Sequence, residues 1–304
     1  ESDGSIDLFT PDIAVLNNIA VDHKTLDELK AHFTSFLKRS KTGCIINLED
    51  VYSVELLSEL TDKTILTYAE LDVWLNNLKE SRIFALDTET TNLDYMEADL
   101  VGISFCSEIG KAAYVPITHN YENCPAQLSR DEVLKRLSKL LVDPEITVVG
   151  QNIKYDLSVL AKFGLRVSAK IEDTMLQSYV LNSVASRHNM DDLALKYLGI
   201  STTSFEDIAG KGVKQITFDK INIQTATDYA SEDADITFRL YKFFTSKLEE
   251  EPKLKTIYEE IELPLVKNLS QLERKGVLID KKLLTEQSSN LEDKIDQLEK
   301  KAYA

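Results

Sequence analysis

The sequence predicts an α/β fold, a mixed sheet flanked by helices. Three strand-like segments, 82–87 (RIFALD), 100–106 (LVGISFC) and 112–117 (AAYVPI), follow one another through turn-like connections, which makes them antiparallel neighbours. Beyond residue 129 the order changes to helix, then a buried-looking strand at 146–150 (ITVVG), then helix again. Antiparallel strands followed by strand and helix in alternation is the order of a mixed α/β sheet.

In chain order, residues 1–63 read as an α/β-like N-terminal extension: a helix in TLDELKAHFTSFLKRS, a short strand, and a second helix in VYSVELLSEL, with no chemical motif. TYAELDVWLNNLKES reads as an amphipathic helix with Leu71, Trp74, Leu75 and Leu78 on one side. The three strands follow, then SRDEVLKRLSKLL with Ser129 placed to cap a helix. After strand 146–150, GQNIKYDLSVLAKFG reads as a helix stopped by Gly164. The chain is then mainly helical up to residue 250, ending in a long helix over 223–248. The charged tail 251–304 is helical with one interruption, RKGVLID.

Composition narrows the function classes. Of the 304 residues, 43% are hydrophobic, enough for a large core. No apolar run has transmembrane length and no signal peptide is visible, so a soluble, cytoplasmic protein without membrane contact is expected. Cys44, Cys106 and Cys124 are odd in number and irregularly spaced, and with four scattered histidines they make neither a disulfide framework nor a zinc site. The net charge of −16 argues against a basic nucleic-acid footprint. That charge is uneven: residues 1–80 hold 15 acids against 7 bases, whereas residues 147–220 hold 8 against 9.

Four carboxylates stand where a core should be apolar. The strand 82–87 runs into Asp87-Thr88-Glu89, and alternate strand residues share a face, so Asp87 and Glu89 sit side by side. Paired acids resist joint ionisation unless a cation lies between them. Asp156 falls on the stripe of Val159, Leu160 and Phe163, or at its solvated end near the helix start. In the long helix, Asp233 projects between Leu240 and Phe244, with Tyr229 one turn earlier, while Asp228 and Asp235 point to solvent. Acidic oxygens without histidine or thiolate suit hard ions such as Mg2+ or Mn2+. Four carboxylates can hold two such ions about 4 Å apart, the arrangement used for attack on a phosphodiester.

FALDTET, GQNIKYD and YASEDAD resemble the three motifs of the DEDD 3′–5′ exonucleases, in the subgroup with tyrosine in the third motif. DTMLQSYVLNSVASRHNMDDLA, FEDIAGKG and LERKGVLID are similar to the proofreading half of bacterial DNA polymerase I (family A), and the likeness covers residues 64–304. The resemblance implies a ribonuclease H-like fold, an exonuclease domain at 64–250, and a truncated, helical start of a polymerase domain at 251–304. It implies two divalent ions, Mg2+ or Mn2+ with Zn2+ a candidate at one site. Asp87, Glu89 and Asp233 would hold the first ion, Asp87 would bridge to the second, and Asp156 would act there directly or through water. Tyr229, with Glu89, would position the nucleophilic water. The 3′-terminal nucleotides of single-stranded or frayed DNA would be gripped by Leu93, Gln151, Asn152, Tyr155, Arg187 and Phe205.

Structural roles remain open for several of these: Leu93 and Phe205 as core, Arg187 as a partner of Asp191. Asp173 reads as a helix cap rather than a fifth ligand, and GKG at 210–212 as a mobile surface loop without P-loop spacing. No polymerase palm or fingers segment and no 5′ nuclease acid cluster is visible, so polymerisation is not expected. A ribonuclease D-like exoribonuclease and a catalytically silent support for a covalently continuous polymerase domain are the alternatives.

Overall fold

The computed structural model describes residues 10–17, 19, 25–39, 43–46, 63–184 and 187–303. Near the N-terminus, β1 (Ile13–Leu16), α1 (Leu26–Lys38) and β2 (Gly43–Ile46) form a parallel two-stranded unit with the helix as its crossover. The expected second helix of this extension lies outside the described residues, and β1 was not expected from the sequence.

The main sheet has five strands: β3 (Ile83–Thr90), β4 (Leu100–Glu108), β5 (Lys111–Pro116), β6 (Thr147–Gly150) and β7 (Lys170–Asp173), in the order β5-β4-β3-β6-β7. The central strand β3 is antiparallel to β4 and parallel to β6, so the sheet is mixed as predicted. β7 is a correction. Its sequence, KIED, is too short and charged to read as a strand, yet it pairs in parallel with β6 and buries Ile171 and Asp173. β3 also extends through Thr90, so Glu89 as well as Asp87 lies within the strand.

Alternation along β3 builds the layers. Phe84 and Leu86 pack in the large core shared with α2 (Tyr68–Ser81), α3 (Arg130–Leu141) and α4 (Ile153–Lys162). Ala85 faces the other way, into a cluster with Ala234 and Phe238 of the long helix. The α2 stripe buries Leu71, Leu75 and Leu78, leaves Trp74 partly exposed, and starts with a capping box of Thr67 and Glu70. Ser129 caps α3 by position without a side-chain hydrogen bond. Next come α5 (Thr174–Leu181), α6 (Met190–Leu193), α7 (Phe205–Ala209) and the long helix α8 (Ile223–Glu250). In the tail, α9 (Pro252–Ile257) runs through a π-helical turn (Tyr258–Glu262) into α10 (Leu263–Lys275), and Tyr258 of the turn with Val266 and Ser270 of α10 are buried against the sheet domain. The chain turns at Gly276, with φ 65°, into α11 (Lys281–Ala302), which buries nothing. No helix of the described residues is long and apolar enough to cross a membrane.

A buried polar pair ties β5 to the chain leading into α8. The Tyr114 ring lies over Gly102, where an added Cβ would come within 2.0 Å of the tyrosine oxygen. His119 Nδ1 donates to the Ile221 carbonyl (3.0 Å), which can only accept, so Nε2 accepts from the Tyr114 hydroxyl (2.8 Å). Burial pushes this imidazole down to about 4 against a weaker opposing pull from the Ile221 carbonyl. Since the folded pKa is depressed, the unfolded chain binds the extra proton as pH falls from about 6.5 to about 4, and the stability this residue contributes is lost over that window. Urea unfolding of the native protein and His119→Gln is therefore expected to show their stability difference shifting against the native protein by about 3 kcal/mol between pH 7 and 4. A constant difference would rule out a buried neutral imidazole.

Candidate functional site

The C-terminal half of β3 collects the site. Asp87 and Glu89 point to the α8 side of the sheet, and α8 supplies Asp233. Ala226, Ala230 and Ala234 are fully buried at four-residue spacing, and side chains this small let α8 lie close to the sheet. Oxygens of Asp87, Glu89 and Asp233 consequently all lie within 4.8 Å of one another. Tyr229, one turn before Asp233 on the same helix, has its hydroxyl close enough to that carboxylate to favour its ionised form.

Asp156 arrives from the opposite layer. Thr88, between the two acids in sequence, faces α4, and its backbone N–H (3.0 Å) and hydroxyl (2.6 Å) both donate to Asp156 Oδ1. Asp156 is 2% exposed, so its position in the apolar stripe, and not a solvated helix start, describes it. It stands outside the triad of close oxygens but near enough to Asp87 to raise its own pKa. Asp228 is exposed as expected. Asp235 is not merely solvated: it accepts from Gly110 N (2.7 Å) and pairs with Arg239, fastening the β4–β5 hairpin to α8.

The electrostatics are those of acids lacking a countercharge. Burial pushes Asp87 up to about 6. Glu89 and Asp233 are raised well above the usual carboxylate range, first by burial and then by repulsion from Asp87. Asp156 is raised for the same two reasons, against the pull of the Thr88 hydrogen bonds. Burial also raises the Tyr229 phenol, which stays protonated. Glu89 Oε1 and Asp233 Oδ1 are buried without a hydrogen-bond partner. Orphaned anionic oxygens in an all-carboxylate set fit a hard divalent cation.

The other expected residues are placed as follows. Leu93 is 93% exposed in the turn after β3, which excludes a core role. Tyr155, in the first turn of α4, bonds through its hydroxyl to Thr90 and to the Asn92 carbonyl, joining that helix to the turn carrying Leu93. Gln151 donates to the His188 carbonyl (2.8 Å) and accepts from the Thr174 hydroxyl, so its amide braces the chain around 188. Asn152 takes a left-handed conformation, φ 61°, at the start of α4. Phe205 stacks on Phe218, which also meets Tyr229, so it is half core and half surface. Arg187 is exposed and, among the described residues, makes no ion pair, while Asp191 accepts from Thr202. Lys211 of the GKG turn is exposed and pairs with Glu206.

Several residues of the site's frame escaped the sequence reading. Asp173 does cap α5, accepting from Met175 and Leu176, but it also accepts from the backbone N–H groups of Asn152 (3.1 Å) and Ile153 (3.0 Å), holding the start of α4. The Tyr258 hydroxyl in turn accepts from Asp173 N (3.0 Å) and donates to Glu172 (2.7 Å). Ser270 of α10 bonds Ser158 of α4 (2.9 Å). Asp173 carried a sequence signal only as a cap, Thr88 only as the residue alternating with two acids, and Tyr258 and Ser270 none. Tyr258→Phe strands the buried Asp173 N–H and is expected to cost about 1–3 kcal/mol in urea unfolding. An unchanged midpoint would leave this hydroxyl without a part in holding α4.

Residues 63–249 match the family model of a 3′–5′ exonuclease of A-type DNA polymerases. DNA polymerase I of Pseudomonas aeruginosa is 50% identical over 248 residues, covering 81% of this chain and 27% of the relative. DNA polymerase I of Rhizobium leguminosarum is 35% identical, covering 79% and 25%. The chain thus spans about a quarter of the length of these relatives. Among solved structures, the POL domain of Pol1 from M. smegmatis in complex with DNA primer-template and dNTP aligns with a TM-score of 0.61 at 20% identity, over 79% of this chain and 37% of that one. Brucella melitensis NrnC aligns with a TM-score of 0.53 at 21% identity, over 71% and 92%. At these identities the likeness is one of fold, and that fold is ribonuclease H-like.

Proposed function

The chain belongs to the 3′–5′ exonuclease family of A-type DNA polymerases, and from that premise we propose that it hydrolyses the 3′-terminal phosphodiester of single-stranded or frayed DNA, releasing 5′-mononucleotides with the help of two divalent ions. The observation that carries this reading is the triad of Asp87, Glu89 and Asp233, whose oxygens lie within 4.8 Å of one another and of which Glu89 and Asp233 each keep a buried oxygen without a partner, with Tyr229 one turn from Asp233. Asp87, Glu89 and Asp233 would hold one ion, and Asp87 with Asp156 the other. Bound Mg2+ or Mn2+, with Zn2+ a candidate at one site, would supply Lewis acidity that activates water and offsets charge on the leaving oxygen.

The protein's own groups do the positioning. Tyr229 remains a proton donor at neutral pH and, with Glu89, orients the attacking water along the strand face. Thr88 fixes the rotamer of Asp156 with two hydrogen bonds. Leu93 wedges at the terminal base, Phe205 offers a stacking face, and Gln151, Asn152, Tyr155 and Arg187 meet sugar and phosphate. On this reading residues 64–250 carry the chemistry, residues 251–304 begin a covalently continuous polymerase domain, and the 304-residue chain does not itself polymerise. It acts in the cytoplasm, and residues 1–63 have no assigned role.

The test is digestion of a 5′-labelled single-stranded DNA with Mg2+ or Mn2+ against chelator, beside a matched RNA. A ladder shortening from the 3′ end of DNA, absent with chelator, is expected. Preference for the RNA would favour the ribonuclease D-like reading. No cleavage by folded protein would favour a silent support.

A further inference from the structure

A cleft of about 680 Å3 lies between α4, the turn 164–168 and α10, and none of the residues lining it belongs to the carboxylate cluster. Three cations, Arg166, Lys267 and Arg274, line it together with Ser168 and Gln271, and no carboxylate does. In a chain with 51 acids and 35 bases this is an unusual local balance. Elsewhere basic side chains such as Arg136, Lys154 and Arg239 are matched by carboxylates. Among the described residues, none of the three cleft cations forms an ion pair. Lys267 Nζ donates to the Ala169 carbonyl (3.1 Å) and Arg274 Nε to the Ser270 carbonyl (3.2 Å), so both heads are held by backbone oxygens while their remaining donors find no acceptor among the described residues. Burial lowers the Lys267 pKa, as expected for a cation without a countercharge.

Like charges gathered in a concave site repel one another until an anion enters, and guanidinium and ammonium donors fixed in advance suit the oxygens of phosphate. We propose that this cleft is a phosphate-binding site, taking the phosphate of a nucleotide or of a single-stranded nucleic-acid backbone. Its volume is that of a site for a nucleotide rather than for a bare ion.

Isothermal titration calorimetry on the 304-residue chain, in chelator, tests this with four probes: inorganic phosphate, thymidine 5′-monophosphate, an eight-residue oligothymidylate, and thymidine as the phosphate-free control. At least one phosphate-bearing probe is expected to bind and to lose tenfold or more in affinity in the Arg166→Gln/Arg274→Gln variant. Binding by the monophosphate assigns the cleft to nucleotides. Binding by the oligothymidylate, with the log–log salt slope of the variant reduced by about 1.4, assigns it to backbone. Urea unfolding verifies the fold of the variant, and the exposed Arg166→Gln alone, expected to weaken binding several-fold, serves if the pair does not fold. Equal binding of thymidine, undiminished binding by the variants, or no binding of any phosphate probe overturns the proposal.

Discussion

Asp233→Asn is expected to reduce release of mononucleotides from single-stranded DNA by at least about a thousandfold, because several kcal/mol of charge stabilisation depend on the cluster it completes. The substitution keeps the side chain's shape and removes one of three carboxylates whose oxygens lie within 4.8 Å of one another. The folded state should therefore survive, and in chelator it should be more stable than the native protein because a buried repulsion is gone. Gel digestion and urea unfolding read the two effects separately. Cleavage within tenfold of the native rate would remove Asp233 from the chemistry and with it the proposed arrangement.

The second large effect is a metal-dependent stability whose pH dependence has a fixed sign. Burial holds Asp87 up at about 6 in the folded protein, and burial with repulsion from Asp87 raises Glu89, Asp156 and Asp233 well above their unfolded values. The native state thus binds more protons than the unfolded chain. In chelator, the stability these acids contribute is expected to rise as pH falls through about 6, where Asp87 takes up its proton, and to be lost as pH rises through that value and the acids ionise against one another. His119, whose contribution has the opposite sign, titrates between about 6.5 and about 4, so the measurement is made on His119→Gln. At pH 8, Mn2+ at about a hundred times its dissociation constant should add about 2.7 kcal/mol, or roughly 5–10 °C in melting temperature. The increment should shrink toward pH 6, where protons compete for the same oxygens. A melting temperature indifferent to Mn2+ and to chelator at pH 8 would show that the cluster holds no ion.

Much of this site was legible before folding was considered. The two-residue period of a strand placed Asp87 and Glu89 on one face, and both face α8. The 3.6-residue period of a helix marked Asp233 as an acid within an apolar stripe and left Asp156 either in one or at its solvated end, and both are buried. The same rules failed at KIED, where a strand is made by the backbone of β6 rather than by its own side chains. They also failed at Asp235 of α8, whose partner Gly110 lies in the β4–β5 hairpin. Asp173 was read correctly as a cap, but its hold on the first turn of α4 was not, because that contact joins residues twenty-one apart.

By itself the sequence determined which residues carry charge, which face of its own element each occupies, and hence that anionic side chains would be forced into a core. Local periodicity suffices for that, since it depends only on near neighbours along the chain. Tertiary structure alone decided that three of the acids converge while Asp156 stands beside them on Thr88, and that Tyr258 and Ser270 of the tail brace the helix bearing Asp156. It also decided that three cations share a cleft without a carboxylate. Those outcomes depend on which elements pack against which, and a side chain's partner across a packed interface is chosen by the whole core rather than by its sequence neighbours.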